Sequence, residues 1–396
     1  MTQQKYSHYS HILKGQRLPA LILDYDLLKK NVEDIIKRAD GKKIRLASKS
    51  IRSVPILKRL LSDYPEFQGI LCFSIEEAVF LAEKGLDDLL VAYPSVQAKV
   101  IEPVCNLTKE GKFITLMVDS LEQVQTIQAV AAKKNAVINI CFDIDMSMHL
   151  PGLNFGVYRS SLRSLKNVLD LFDKIKDFEN VKVVGIMGYE AQIAGLGDKI
   201  PGNPVKAWIV RLLKKISIPK LRKLRKEVVD SLTERGVSLT IKNGGGTGSL
   251  RSTSEDSSVN EIAMGSGLFS PTQFDHYKDF KFNPAMFFAL EISRNSEGQV
   301  FTANGGGYIA SGPVGKEKLP TPYLPEGMSL TANEGAGEVQ TPIKISGSDI
   351  KLGDPVFFRH SKAGEVCERF NEITLISGNQ IVEKVPTYRG EGQCFF

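Results

Sequence analysis

The sequence predicts an α/β protein: a (β/α)8 TIM-like barrel followed by a C-terminal, mostly antiparallel β domain. Three observations carry that expectation. From about residue 18 to residue 265, short β-rich apolar runs alternate with longer amphipathic stretches, as repeated βα units around a parallel sheet do. Nine candidate strands fall in that stretch, and setting the first aside leaves the eight staves that a barrel of roughly 250 residues needs. After about residue 275 the texture changes to strand-like runs broken by Gly and Pro, with no long amphipathic helix. The expected domains are therefore 1–275 and 276–396.

Taken in order, the candidate strands are 19–24 (PALILD), 43–48 (KIRLAS), 69–73, 88–92, 113–118, 137–143, 181–188, 238–242 and 260–264. Helical periodicity fills residues 26–39, 54–62, 74–83 and 120–134 between them. Ser74 and Ser120 are each followed by acidic residues, as an N-cap and the positive end of a helix favour. Beyond residue 275 the runs MFFALEISR, QVFTANGGGYIASG, TPIKISG, DPVFFRH and ITLISGNQIVEKV supply the strands of the second domain.

Composition narrows the function classes. A chain with 42% hydrophobic and 24% charged residues is an ordinary globular protein, which excludes disordered, collagenous and disulfide-rich classes. No apolar run approaches the roughly 18 to 20 residues that span a bilayer, and the first residues carry no apolar signal core, so a cytoplasmic protein is expected. Five separated cysteines without a C-x-x-C pair predict reduced thiols. Much of the net charge of +6 sits in residues 214–226 (KKISIPKLRKLRK), read as a solvated helix face rather than a nucleic-acid or lipid contact.

Barrel enzymes carry their chemistry at the C-terminal ends of the staves. Lys49 follows the first stave directly, where its amine can form a Schiff base with a carbonyl; the plain alternative is a solvated loop lysine. Asn243-Gly244-Gly245-Gly246-Thr247-Gly248-Ser249 follows the seventh stave and Gly265-Ser266-Gly267 the eighth, the loops where barrels bind phosphate on bare backbone N–H groups. A lysine on the first stave and a phosphate cup on the last two point together to pyridoxal 5′-phosphate, which needs both.

With these residues in place, the chain resembles the alanine-racemase-like fold III pyridoxal-phosphate enzymes. The likeness rests on LPALILDYDLLKKNVEDI at 18–35, KSIR at 49–52, GIMGYEAQ at 185–192, NGGGTGS at 243–249 and a terminal β domain. The D-threonine aldolase and D-serine dehydratase branch is the nearest in pattern. By that resemblance Lys49 carries the cofactor, Gly245, Gly246, Thr247, Gly265 and Ser266 hold its phosphate, and Tyr189 and Gln192 lie beside it. The family's arginine to the ring nitrogen is missing from the stretch Asp143–His149, which leaves Arg159 or His149 for that role. The branch also resembles a zinc- or manganese-type site with a His and a Cys or Asp two residues apart. Here His360, Glu365 and Cys367 are ligand types without that pair; aligned on Phe370, Lys362 and Gly364 occupy the ligand slots, and residues 333–338 replace a Glu-Glu-His-Gly motif. His360 and Cys367 are thus weak metal candidates, and Lys362 is a candidate fixed positive charge in place of the metal.

The resulting expectation is a lyase that cleaves Cα–Cβ of a small, D-configured, β-hydroxy amino acid held as a Schiff base, with Lys49, His360 and Lys362 as catalytic groups. Racemisation and D-serine-type dehydration are the alternatives, and a non-catalytic pyridoxal-phosphate-holding protein is the different class. The resemblance implies a homodimer, and no nucleic-acid or membrane partner is expected.

Overall fold

In a computed structural model that describes residues 2–150 and 152–395, the alternating part of the chain closes into an eight-stranded parallel barrel. After α1 (Thr2–Ile12), β1 (Ala20–Asp24) and α2 (Tyr25–Ala39), the staves begin with β2 (Lys43–Ala47) and continue through β3 (Phe67–Cys72), β4 (Leu89–Val91), β5 (Ile114–Val118) and β6 (Ile138–Asp143). A hairpin, β7 (Met148–Leu150) with β8 (Leu153–Phe155), precedes the last three staves, β9 (Val181–Gly188), β10 (Ile241–Gly244) and β11 (Glu261–Met264). Closure comes from parallel pairing of β11 with β2, Met264 opposite Leu46. These staves read as continuous apolar runs because helices and barrel interior bury both faces; all five residues of β5 are buried.

The connecting helices are α3 (Val54–Asp63), α4 (Ile75–Glu83), α5 (Ala98–Lys109), α6 (Leu121–Lys133), α7 (Leu165–Ile175), α8 (Ala191–Ala194), α9 (Pro204–Glu234), α10 (Leu250–Ser254) and α11 (Ser266–Phe269). Ser74 caps α4 through the Glu77 N–H, and Ser120 with Gln123 closes a reciprocal capping box on α6. The basic stretch 214–226 lies in α9, but it is only partly the solvated face expected from its charge. Lys214 and Arg225 fall on the same stripe as Ala207, Val210, Ser217, Leu221, Val228 and Leu232 and are buried with them. Each has an internal acid to meet: Asp198 for Lys214 at 3.4 Å, and Glu190 and Asp256 for Arg225. Inside the barrel, Arg45 donates to Glu261 at 2.6 and 2.8 Å and to Asp88 at 2.9 Å. Every charge in that group has a partner, the condition under which buried ions are tolerated.

The second unit is a mostly antiparallel sheet built from β12 (Met286–Glu297), β13 (Val300–Asn304), β14 (Thr321–Leu324), β15 (Met328–Leu330), β16 (Gln340–Ile345), β17 (Pro355–Arg359), β18 (Glu372–Ser377) and β19 (Gln380–Pro386), joined by β1. The first candidate strand, set aside from the barrel on count, sits in mid-sheet between β12 (antiparallel) and β18 (parallel). The chain therefore does not divide at residue 275. Residues up to Asp34, Ser50–Ile56 and Ser266–Cys394 form one compact unit, and Ile35–Lys49 with Leu57–Gly265 the other. The core of the sheet unit packs Tyr9, Leu13, Ile22, Phe287, Leu324 and Phe357, and Tyr9 donates its hydroxyl to Asp24 at 2.6 Å.

Candidate active site

The chemistry-bearing residues of the barrel unit gather where staves end. Lys49 lies in a single 3-10 turn (Ser48–Ser50) directly after β2. Ser48 is buried and donates to Leu71 O at 3.0 Å, so the backbone is pinned while the Lys49 side chain stays exposed. Its Nζ donates to the Tyr93 hydroxyl at 3.3 Å; Tyr93 comes just after β4. The Arg159 guanidinium stands 5.9 Å from the Tyr93 ring centre and 6.0 Å from that of Tyr189, which follows β9. One cation thus faces two phenols, within cation–π reach of both. Burial pushes the Tyr189 hydroxyl up to about 12 against the opposing pull of Arg159, so it stays protonated at neutral pH.

Asp143, the last residue of β6, differs in kind. Burial, together with the charges of Asp119 and Asp145 and against Arg159, raises its carboxyl to about 7. Asp145 orders the following turn: its Oδ1 accepts the Ser147 N–H at 2.9 Å, and its Oδ2 lies 3.6 Å from His149 and 3.4 Å from Arg163. His149 is therefore an exposed partner of Asp145.

The glycine loop after β10 rests on a buried ionic network. Gly245 has φ +82°, a conformation that favours glycine, and donates its N–H to Glu190 Oε2 at 2.9 Å. Glu190 also accepts from Thr253 and from Arg225 at 3.3 Å, while Arg225 reaches Gly188 O at 2.8 Å and Asp256. At Gly246 a Cβ would stand 3.1 Å from Ala194 and 3.2 Å from the Tyr189 ring, so a side chain there would fill the space above the loop. Thr247 is buried with its hydroxyl on Met264 Sδ at 3.5 Å. Gly265 follows β11, and Ser266 Oγ is 2.9 Å from Ser50 Oγ. Gln192 is buried and donates to Met146 O at 2.5 Å and to Ser217 at 3.0 Å, bracing α9 against the stretch after β6. A bare glycine cradle and an accessible first-stave amine fit an aldehyde cofactor that carries a phosphate.

Of the remaining candidates, His360 follows β17 in the sheet unit, 1% exposed, and burial beside Arg359 lowers its ring to about 3. Lys362 donates to Ser311 O at 2.6 Å and lies 3.9 Å from Glu365, the ion-pair partner that the sequence spacing suggests. Cys367 donates its thiol to Ile51 O at 3.6 Å, and burial pushes it up to about 12, far from the thiolate that binds metal. Among the described residues no group of three or more His, Cys, Asp and Glu side chains comes together as a metal cage. With the Lys362 ammonium two residues away and no cluster of ligand side chains around it among the described residues, His360 lacks the ligand set of a divalent-ion site. The sequence reading missed Tyr93, Glu190 and Arg225. Glu190 had a signal, standing next to Tyr189 in GYE; Arg225 had none, hidden in a basic run.

The alanine racemase N-terminal domain family matches residues 23–272. The chain is 26% identical over 265 residues to the 3-hydroxy-D-aspartate aldolase of Paracoccus denitrificans (strain Pd 1222), covering 66% of this chain and 62% of that protein. It is also 26% identical over 137 residues to the D-threo-3-hydroxyaspartate dehydratase of Delftia sp. (strain HT23), 34% of this chain and 35% of that protein. In fold it is similar to the crystal structure of D-threonine aldolase from Filomicrobium marinum, with a TM-score of 0.80 at 18% identity over 96% of this chain and 97% of that one. A lysine at the end of the first stave, a glycine loop after the seventh and a family match over most of the barrel lead to one conclusion: the chain belongs to the alanine racemase N-terminal domain family.

Proposed function

We propose that the protein is a pyridoxal-phosphate-dependent lyase that cleaves the Cα–Cβ bond of a small β-hydroxy amino acid of D configuration. The family implies the cofactor, and the relatives named for 3-hydroxy-D-aspartate cleavage and D-threo-3-hydroxyaspartate dehydration support the substrate class. The observation that carries the reading is the exposed Lys49 amine after the first stave, hydrogen-bonded to Tyr93, together with the bare glycine cradle at Gly246.

Lys49 would hold the cofactor through its amine, Gly246, Thr247, Gly265 and Ser266 would hold its phosphate, with Gly245, whose N–H is spent on Glu190, setting the turn of the loop, and Tyr189 and Arg159 would flank its ring. Bound pyridoxal phosphate supplies an aldehyde that condenses with amines and a conjugated ring that takes up the electron pair released at Cα. Tyr93 orients the Lys49 amine by accepting a hydrogen bond from its Nζ. Arg159 fixes both phenols and offers a positive charge to the substrate carboxylate. Aldol cleavage also needs a base for the β-hydroxyl proton, and Asp143, balanced near neutrality, is the group of this unit suited to hold and release it.

The test supplies D- and L-threonine and the 3-hydroxyaspartates to the holoenzyme and to Lys49→Ala. Glycine and an aldehyde formed from the D substrates by the parent alone support the reading. Ammonia with a 2-oxo acid would make it a dehydratase, and inversion at Cα a racemase. A borohydride-reducible chromophore without turnover would leave a cofactor-holding protein.

A further inference from the structure

The long helix α9 carries two apolar stripes. One runs from Ala207 to Leu232 and is buried. The other consists of Val205, Trp208, Ile209, Leu212 and Ile216, between 41% and 68% exposed. Their spacing, i, i+3, i+4, i+7 and i+11, makes one continuous face at 3.6 residues per turn, nearly opposite the buried stripe. A single exposed apolar side chain needs no explanation, but five in one stripe mark a surface that meets something other than water.

The charge around that stripe has one sign. From Pro204 to Lys226 the helix carries nine basic residues and no acidic one. Beyond Pro219 several of the cations find acids: Arg222 meets Glu255 at 2.9 Å, Lys223 meets Glu227 at 3.8 Å and Lys226 meets Asp230 at 2.6 Å. Beside the apolar stripe the arrangement differs. Lys206, Lys215 and Lys220 are exposed and have no ion-pair partner among the described residues. Helical geometry sets Lys206 and Lys220 along one edge of the stripe and Lys215 along the other.

We propose that this face of α9 docks on the surface of a bilayer that contains anionic phospholipid, with the helix lying in the plane of the headgroups. Trp208 and the aliphatic side chains enter the boundary between headgroups and acyl chains, where an indole has room for its apolar body and a partner for its N–H. The flanking lysines lay their stems along the apolar edge and reach the lipid phosphates with their ammonium groups. Nucleic acid would pair the lysines but leave the aliphatic side chains in water. A second copy would bury the stripe, yet a twofold contact brings a patch against itself and would set these lysines against their own counterparts. No helix among the described residues is long and apolar enough to cross a membrane, and a helix that lies on the surface needs no such length. The expectation of no membrane partner, drawn from the lack of a spanning run, thus gives way to peripheral contact.

Trp208 is the only tryptophan of the chain, so its fluorescence reports this face alone. The holoenzyme is mixed with vesicles of phosphatidylcholine and phosphatidylglycerol in equal parts, with pure phosphatidylcholine vesicles as comparator. With the anionic vesicles, Trp208 emission is expected to move to the blue, to be quenched by lipids brominated on their acyl chains, and to revert as salt is raised. Pure phosphatidylcholine is expected to bind at least tenfold more weakly. Replacing two exposed residues at once, Leu212→Ser with Ile216→Ser, is expected to weaken binding about tenfold with native circular dichroism retained. Lys215→Glu with Lys220→Glu is expected to erase the preference for phosphatidylglycerol. Unchanged emission with anionic vesicles, equal binding of both vesicle types, or full binding by the serine variant would each overturn the proposal. Emission that is blue in buffer alone, rises with protein concentration and is lost with a dimer in the serine variant would assign the face to a second copy instead.

Discussion

Asp143 shows how a single side chain acquires a role from its surroundings. An aspartate ordinarily ionises near 3.9, but burial and two neighbouring acids raise Asp143 to about 7, so it exchanges a proton in the range where enzymes work. Between the two values the folded protein binds a proton that the unfolded chain has released. The contribution of Asp143 to stability is therefore most favourable below about pH 4 and declines as pH rises towards 7. Asp143→Asn removes that slope, and the variant is expected to gain stability relative to the parent as pH rises from 4 to 7, read as the pH dependence of the melting temperature. In kinetics the same change should lower kcat/KM by roughly a hundredfold and abolish the ionisation near 7 from the pH–rate profile. A profile that keeps its limb near 7 in the variant would remove Asp143 from the chemistry.

The glycine loop depends on elements that lie behind it. Glu190 after β9, Arg225 on α9 and Thr253 and Asp256 around α10 form one hydrogen-bonded group, and Gly245 N–H hangs from it. Arg225 is 0% exposed, so removing it leaves two carboxylates buried without a counterion. Arg225→Met is expected to cost about 3 to 5 kcal/mol in a denaturant melt and to impair cofactor retention, followed by the visible spectrum after dialysis. Glu190→Gln keeps an acceptor for Gly245 and should be milder, costing about 1 to 2 kcal/mol, with retention weakened more than the fold. Equal losses in both variants would show that the network supports α9 alone and not the loop. The long helix is thus both a cover for the barrel and a strut for the loop, which explains why its basic run carries an arginine on the buried face.

The sheet unit is stitched together by its first strand. β1 is hydrogen-bonded on both edges, to β12 and to β18, although about 260 and 350 residues separate it from them. Deleting residues 2–24 would expose two apolar strand edges and remove Tyr9, Leu13 and Ile22 from the core. The truncated chain is expected to aggregate on expression, as seen by size-exclusion chromatography, whereas a monodisperse product with native circular dichroism would refute the account. Much of this molecule was legible from local pattern. The eight staves, the helices, the Ser74 and Ser120 caps, Lys49 at a strand end and the glycine loops could all be read because each depends on residues within a turn or a strand of one another. The destination of β1 could not, since apolar alternation marks a strand without naming its neighbours. Nor could the burial of Arg225, the near-neutral Asp143 or the buried ring of His360, because each is set by charges and walls brought in from distant parts of the chain. Periodicity and spacing are short-range and survive in one dimension; desolvation and ion pairing depend on what long-range folding packs around a group, and only the folded chain specifies that.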